Sequence, residues 1–318
     1  VEVPGDAADP AAWIAARLAE LAGAGDVADI HHAQDATAAV ALIAARAEGV
    51  VPAVVRTVHH LEPATTHSLD EMQRASLQDV DARVCVSAAW AQRLHEELSV
   101  EAACGRETAG AHFGWGARPA VLTMGGISRR KGSRVVLEAF ARAATRLGDG
   151  ALLVVAGESG DDDRYRAAWF DDAERLGLTV GGPGPAPDAS VAILGAVAGD
   201  DLPLLYRAAD VLAHPSTREG SGMLVLEAAL AGLPAVVGDI DSMRGELTDG
   251  RDCLMVPPGH SGPLADAMVR LVRDETLRRD ILATAVATGA GRTWEAAAGA
   301  HERLYARVLA ASASRVRS

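Results

Sequence analysis

The sequence predicts an α/β protein built from two doubly wound, parallel-sheet domains. Short apolar runs alternate with helical patterns, most regularly after residue 118, and glycine-rich loops follow several of the runs. Strand and helix in alternation fold as right-handed crossovers with helices on both faces of a parallel sheet. The length of 318 residues suits two domains at about 150 residues each.

In the first hundred residues, 28–31, 53–58 and 83–87 read as strands, and 10–21, 37–47, 69–79 and 88–98 as helices. Three short strands make a thin sheet, and the chain does not begin with methionine. The N-terminal domain is therefore expected to be incomplete, with residues missing before Val1 and within the segment that follows it. That segment, 99–117, reads as a linker broken by Gly105, Gly110, Gly114 and Gly116. Residues 119–124 form a buried strand ending in a glycine pair, and 133–147 a helix with Val136, Leu137, Phe140 and Ala144 on one face. Strands follow at 151–156, 191–194, 211–214, 235–238 and 253–256, with helices at 163–176, 201–208 and 222–231. Residues 181–189 are a Gly/Pro-rich loop, and 263–311 read as three helices. The expected division is 1–110, 111–292 and a final helical segment 293–318.

Composition narrows the function. Apolar residues make up 49% and charged residues 23%, which excludes a mainly disordered chain. A net charge of −13 argues against a nucleic-acid partner and limits membrane contact to the peripheral kind. Apolar runs such as 38–45 are shorter than the ~18–20 residues of a membrane span. Three scattered cysteines, Cys85, Cys104 and Cys253, imply neither a disulfide framework nor a metal knuckle, and a cytoplasmic location is expected. Asparagine is absent, and Lys131 is the only lysine among 30 basic residues.

That lysine lies in Gly125-Gly126-Ile127-Ser128-Arg129-Arg130-Lys131-Gly132-Ser133, between a strand and a helix. Glycines permit the sharp turn, and the helix start offers unpaired N–H groups, so the loop reads as an anion site suited to phosphate. It matches neither a Walker loop nor a dinucleotide fingerprint. The second constellation is His214-Pro215-Ser216-Thr217-Arg218-Glu219-Gly220-Ser221-Gly222, which runs into an apolar helix whose one charge is Glu227. A carboxylate inside such a helix requires a designated partner, and a sugar diol supplies two O–H donors at a spacing that suits it. Glu219 is expected at the loop tip, beside the Gly220 and Gly222 amides. Four histidines, His31, His32, His59 and His60, stand at strand ends without acidic or cysteine partners at ligand spacing. The expected site therefore holds no metal. Asp161, Asp162 and Asp163 read as a solvated helix start.

In this order and spacing the residues resemble glycosyltransferase family 4, the retaining nucleotide-sugar transferases of GT-B fold. The resemblance rests on the glycine loop with Lys131-Gly132, Ala209-Asp210-Val211 leading to Pro215-Ser216, the E-x7-E pair Glu219 and Glu227, Ala231-Gly232-Leu233-Pro234 and Trp294-Glu295. It implies two Rossmann-like domains facing a cleft, with no cofactor and no obligatory metal. The donor diphosphate falls at Lys131, the ribose at Glu227, and the sugar near Glu219 and Gly220, Ser221 and Gly222. The histidine after Thr57-Val58, His59, reaches the sugar, and the final helix, 294–309, crosses back onto the first domain. The implied catalytic residues are His59, Lys131 and Glu219. Gly125, Gly126, Arg129 and Arg130 complete the donor site.

The family's arginine five residues before the lysine is Gly126 here, so Arg129 or Arg130 would supply its charge. Its phenylalanine between the loop glycines is Ser221, and its N-terminal glycine loop and the Asn-Gly segment before the second domain are not seen. The expected activity is metal-independent transfer of a sugar from a nucleoside-diphosphate donor to an unknown hydroxyl acceptor, with retention. The alternatives are a non-catalytic nucleotide-sugar-binding or scaffold protein, and a sugar-nucleotide epimerase of the same fold.

Overall fold

The computed structural model describes residues 28–34, 36–47, 49–58, 79–85, 105–160, 162–182, 188–198, 201–292 and 294–316. The chain divides into two compact units, Val1–Ser87 with Glu295–Ser318, and Ala88–Trp294.

In the smaller unit β1 (His31–Ala33), β2 (Val54–Val58) and β3 (Ala82–Cys85) form a parallel sheet in the order β1-β2-β3, with α1 (Ala36–Ala47) connecting the first two. Ala33, Ala39, Leu42 and Val54 are buried together on the α1 side. Ala53 and Val55 instead meet Val308 of the last helix, α10 (Trp294–Val316 by chain order). Neighbouring strand positions point to opposite faces, so alternate residues of one short strand serve two helices. His32 joins the same layers. One ring nitrogen lies 2.7 Å from the Tyr305 hydroxyl and the other 2.7 Å from Thr57 Oγ1. Residues 59–78 and 86–104, with the expected helices 69–79 and 88–98 and both His59 and His60, lie largely or wholly outside the described residues, as does the helix 10–21.

The larger unit opens with α2 (Arg106–His112), where the glycine spacing predicts a linker. The structure corrects that expectation over the described residues 105–117, where Gly110 serves packing. A Cβ on Gly110 would collide with the Gly116 carbonyl oxygen, and the close approach buries Trp115, whose indole N–H donates to the Ala208 carbonyl at 3.1 Å. The sheet then follows: β4 (Ala120–Met124), β5 (Leu152–Ala156), β6 (Val180–Gly181), β7 (Val191–Gly195), β8 (Val211–His214), β9 (Ala235–Gly238) and β10 (Leu254–Val256). All pair in parallel, in the order β10-β9-β8-β4-β5-β7-β6. The two-residue β6 is too short to show a period in the sequence.

Helices α3 (Ser133–Leu147), α4 (Asp163–Arg175) and α8 (Ser261–Arg273, numbered in chain order) cover one face of this sheet. The other is covered by α2, α5 (Leu202–Ala208) and α6 (Met223–Leu230). A short α7 (Asp241–Arg244) follows β9, and α9 (Glu275–Ala290) packs on α6. Strand alternation divides the side chains: Val121, Leu153, Val155 and Val211 enter the first core, and Leu122, Leu152, Val154 and Leu212 the second. With both faces buried, the strands read as unbroken apolar runs.

The strand order reverses at β4, which lies between β5 and β8. In open α/β sheets ligands bind beyond the carboxyl ends of the strands at such a switch point. The loops after β4 and β8 carry the two sequence constellations. No described helix is long and apolar enough to cross a membrane.

Trp169 is fully buried beside Phe140, and its indole N–H donates to the Ser133 carbonyl at the start of α3. Trp169→Ala is expected to lower stability by about 3–5 kcal/mol in chemical denaturation, as a large core truncation does. A loss under about 1 kcal/mol would contradict this packing.

Candidate functional site

The turn after β4 requires glycine. Gly125 and Gly126 have φ of 98° and 62°, and both amides donate to the Ala156 carbonyl, at 2.7 and 2.9 Å. A Cβ on Gly126 would strike the Glu158 carbonyl oxygen, so no side chain, arginine included, fits there without moving the 157–159 backbone. A Cβ on Gly125 would lie 3.0 Å from side-chain carbons of Lys131. The bare glycine lets the lysine stem cross the turn.

The loop after β8 lies against this turn. Gly132, at φ 71°, has no room for a Cβ, which would sit 2.9 Å from the Pro215 carbonyl oxygen. The Thr217 amide and the Ser216 hydroxyl each approach the Arg130 carbonyl at 3.0 Å. Loops about 85 residues apart in sequence thus form one unit, held by backbone contacts that tolerate no side chain at residue 132.

Glu219 stands at their junction, with 13% of its side chain exposed. Its Oε1 accepts from Lys131 Nζ at 2.6 Å, Ser216 Oγ at 2.7 Å, His214 Nε2 at 3.0 Å and Arg130 at 3.3 Å. Burial alone would raise its pKa, but donation from His214 and Lys131 reverses this and brings it to about 2. Burial lowers the Lys131 pKa, against the opposing influence of Glu219. His214 is fully buried and also lowered by burial. Its Nδ1 has no partner. Proton placement follows from this: Nε2–H donates to the carboxylate, and Nδ1 stays bare, since a buried N–H there would be unsatisfied.

Glu227 projects from α6, half-buried. Burial raises its pKa, while a hydrogen bond of 3.2 Å from the Tyr206 hydroxyl opposes the rise. The designated partner required by the sequence is therefore a tyrosine of α5. The Tyr206 hydroxyl is itself raised well above its ordinary pKa by burial and by Glu227, so it donates as a neutral phenol. Gly222 is the residue before α6, and a Cβ on it would lie 2.8 Å from Leu247. Gly220 is exposed and Ser221 half-buried in the same loop.

Of the residues singled out from the sequence, the structure brings together Gly125, Arg130, Lys131 and Glu219. Arg129 lies apart, held by Asp162 at 3.2 Å and stacked 4.8 Å over the Tyr165 ring. His59 is outside the described residues. Sequence reasoning assigned no role to His214, Ser216 and Tyr206. A histidine closing a buried apolar strand was the available signal for His214, since such a ring needs a partner.

Residues 118–274 match a family model described as glycosyl transferases group 1. Over 188 residues the chain is 32% identical to a phosphatidyl-myo-inositol mannosyltransferase of Mycobacterium leprae, covering 59% of this chain and 46% of that protein. Over 184 residues it is 29% identical to a D-inositol 3-phosphate glycosyltransferase of Corynebacterium urealyticum, covering 57% and 41%. The chain thus spans about half the length of the curated relatives it matches. Among solved structures it is similar to Anabaena HepE in complex with UDP-glucose, with a TM-score of 0.68 at 18% identity over 96% of this chain and 81% of that one. That likeness shows the fold alone.

Ionisation of Glu219 stabilises the fold, because its pKa of about 2 lies below its ordinary 4.5. For a depressed carboxylate this stabilisation is complete above the unfolded-state value and is lost as pH falls through the folded-state value. The stability difference between the wild type and Glu219→Gln is therefore expected to be constant near pH 7 and to shrink between about pH 4.5 and pH 2. Urea denaturation across that range checks it, and a difference that grows on acidification would contradict the geometry.

Proposed function

We propose that the chain is a retaining, metal-independent glycosyltransferase of family 4, which moves a sugar from a nucleoside-diphosphate donor to an acceptor hydroxyl. The observation that carries this reading is the Lys131–Glu219 contact of 2.6 Å at the switch point of the larger sheet, within the segment that matches the family model. The UDP-glucose bound by the structurally similar HepE supports a nucleotide-sugar donor.

In this reading Lys131 receives the donor diphosphate. Glu219 neutralises it in the ligand-free protein, and the more highly charged diphosphate competes for the ammonium. Charge that grows on the departing phosphate is met by a cation already in place. Glu227, with Tyr206 on one of its oxygens, has acceptor capacity for the ribose hydroxyls. Glu219, whose second oxygen has no protein partner among the described residues, orients the sugar and faces its oxocarbenium character. Gly220, Ser221 and Gly222 form the wall of the sugar site, and the family resemblance adds His59 as a residue that contacts the sugar. The bond from the anomeric carbon to the diphosphate breaks, and the acceptor oxygen bonds to that carbon on the same face. The acceptor's proton leaves with the phosphate oxygen. Glycine at 126 removes the arginine of the family pattern, so Lys131 carries most of the positive charge at the diphosphate.

Transfer assays with UDP-, GDP-, ADP- and dTDP-sugars test this, with the anomer of the product identified by NMR. Turnover is expected to persist in EDTA. Lys131→Ala should lose on the order of 10²–10³ in turnover while the fold is kept, and unchanged turnover would remove the assignment. Glu227→Gln should raise the donor KM more than it lowers kcat; a purely kcat effect would argue against ribose anchoring. Nucleotide binding with no transfer or hydrolysis of any donor would favour a binding protein.

A further inference from the structure

Consecutive residues of the glycine loop, Arg130 and Lys131, part company in the fold. Both reach Glu219, but only Arg130 lines a groove of about 450 Å³ formed by Ile127, Ser128, Arg129, Arg130, Gly160, Asp162, Tyr165, Thr217 and Arg218. Lys131, Glu219, Glu227 and the 220–222 loop are absent from its lining. Three arginines and one carboxylate, Asp162, thus line a groove that meets the site assigned to the donor at Arg130.

Two of the three are fixed in place. Asp162 accepts the Tyr165 amide on Oδ1, capping α4, and holds Arg129 on Oδ2 at 3.2 Å. Arg129 also lies over the Tyr165 ring. Arg130 donates to the Arg218 carbonyl at 3.2 Å and reaches Glu219 at 3.3 Å. Each of them meets its carboxylate through one nitrogen, which leaves further N–H groups of a five-donor fork for a ligand. Arg218 is exposed and has no side-chain partner among the described residues. Ser128 and Thr217, each next to an arginine in sequence, line the same groove.

We propose that this groove is a second anion site, which binds the phosphate monoester of a small metabolite. Forked guanidiniums match the oxygens of a tetrahedral dianion, and the charge-assisted bonds they form are the stronger kind. The cavity is far larger than a phosphate ion and has room for the organic body of an ester. The reading stands on the groove itself and does not depend on the transferase activity.

Isothermal titration of the full chain with glycerol 3-phosphate, inorganic phosphate and UDP tests it. Glycerol 3-phosphate should bind more tightly than inorganic phosphate, with affinity falling as salt rises. Arg218→Ala should weaken glycerol 3-phosphate at least about fivefold and leave UDP within about twofold. Lys131→Ala should do the reverse. Arg218 is exposed, so its truncation leaves the core intact, and circular dichroism checks this. Monoester binding that is abolished by Lys131→Ala but kept by Arg218→Ala would place the anion at Lys131 and overturn the proposal. Absence of any binding by the wild type at about 20 mM would overturn it too. Inorganic phosphate binding as tightly as the ester would overturn the monoester assignment.

Discussion

The contact between Lys131 and Glu219 depends on bringing two loops, distant in sequence, within a hydrogen bond of each other at the centre of a seven-stranded sheet. β4 and β8 are neighbours only because the chain winds outward through β5 to the edge strand β6, steps back to β7 and then crosses to the other side of β4. The loops that leave their carboxyl ends therefore share a space that no consecutive pair of elements could enclose. Two buried cores, one on each face of the sheet, keep those strand ends in register.

Within that space the backbone governs the side chains. Gly132 has to be glycine for the loops to touch, because the Pro215 carbonyl occupies the place of a Cβ. Gly125 has to be small for the lysine stem to pass across the turn. Gly126 has the opposite consequence, since the same tight turn that accommodates the Glu158 carbonyl excludes the cationic side chain of the family pattern. One lysine is left at the junction, neutralised by a carboxylate that three other donors also hold. The arrangement keeps a negative charge ionised in a largely buried place by surrounding it with donors, the usual condition for a buried carboxylate to stay charged.

His214 shows how far the support extends. It ends β8 as a fully buried ring and commits one nitrogen to Glu219, with the other unpartnered. A neutral imidazole satisfies that environment and a charged one does not, so the histidine fixes an orientation without adding a charge. Tyr206 stands to Glu227 in the same relation: a buried donor that serves one oxygen of a half-buried carboxylate.

The sequence by itself determined most of the larger unit. Its apolar runs are bounded by glycine and proline, and each sits where a strand buried on both faces has to be; the helices between them keep a 3.6-residue period. It also singled out Lys131, Glu219 and Glu227, because a lone lysine in a glycine turn and a carboxylate in an apolar helix are anomalies of composition that local packing does not explain. Residues 105–117 misled, since a glycine that permits close packing and a glycine that breaks a helix are the same letter, and only the Gly116 carbonyl against Gly110 tells them apart. Only the tertiary structure decided the partners: Tyr206 for Glu227, His214 and Ser216 for Glu219, and Asp162 for Arg129. Those pairings join elements that strand order makes neighbours, and strand order is fixed by how two cores close over the sheet, which no local pattern of residues records.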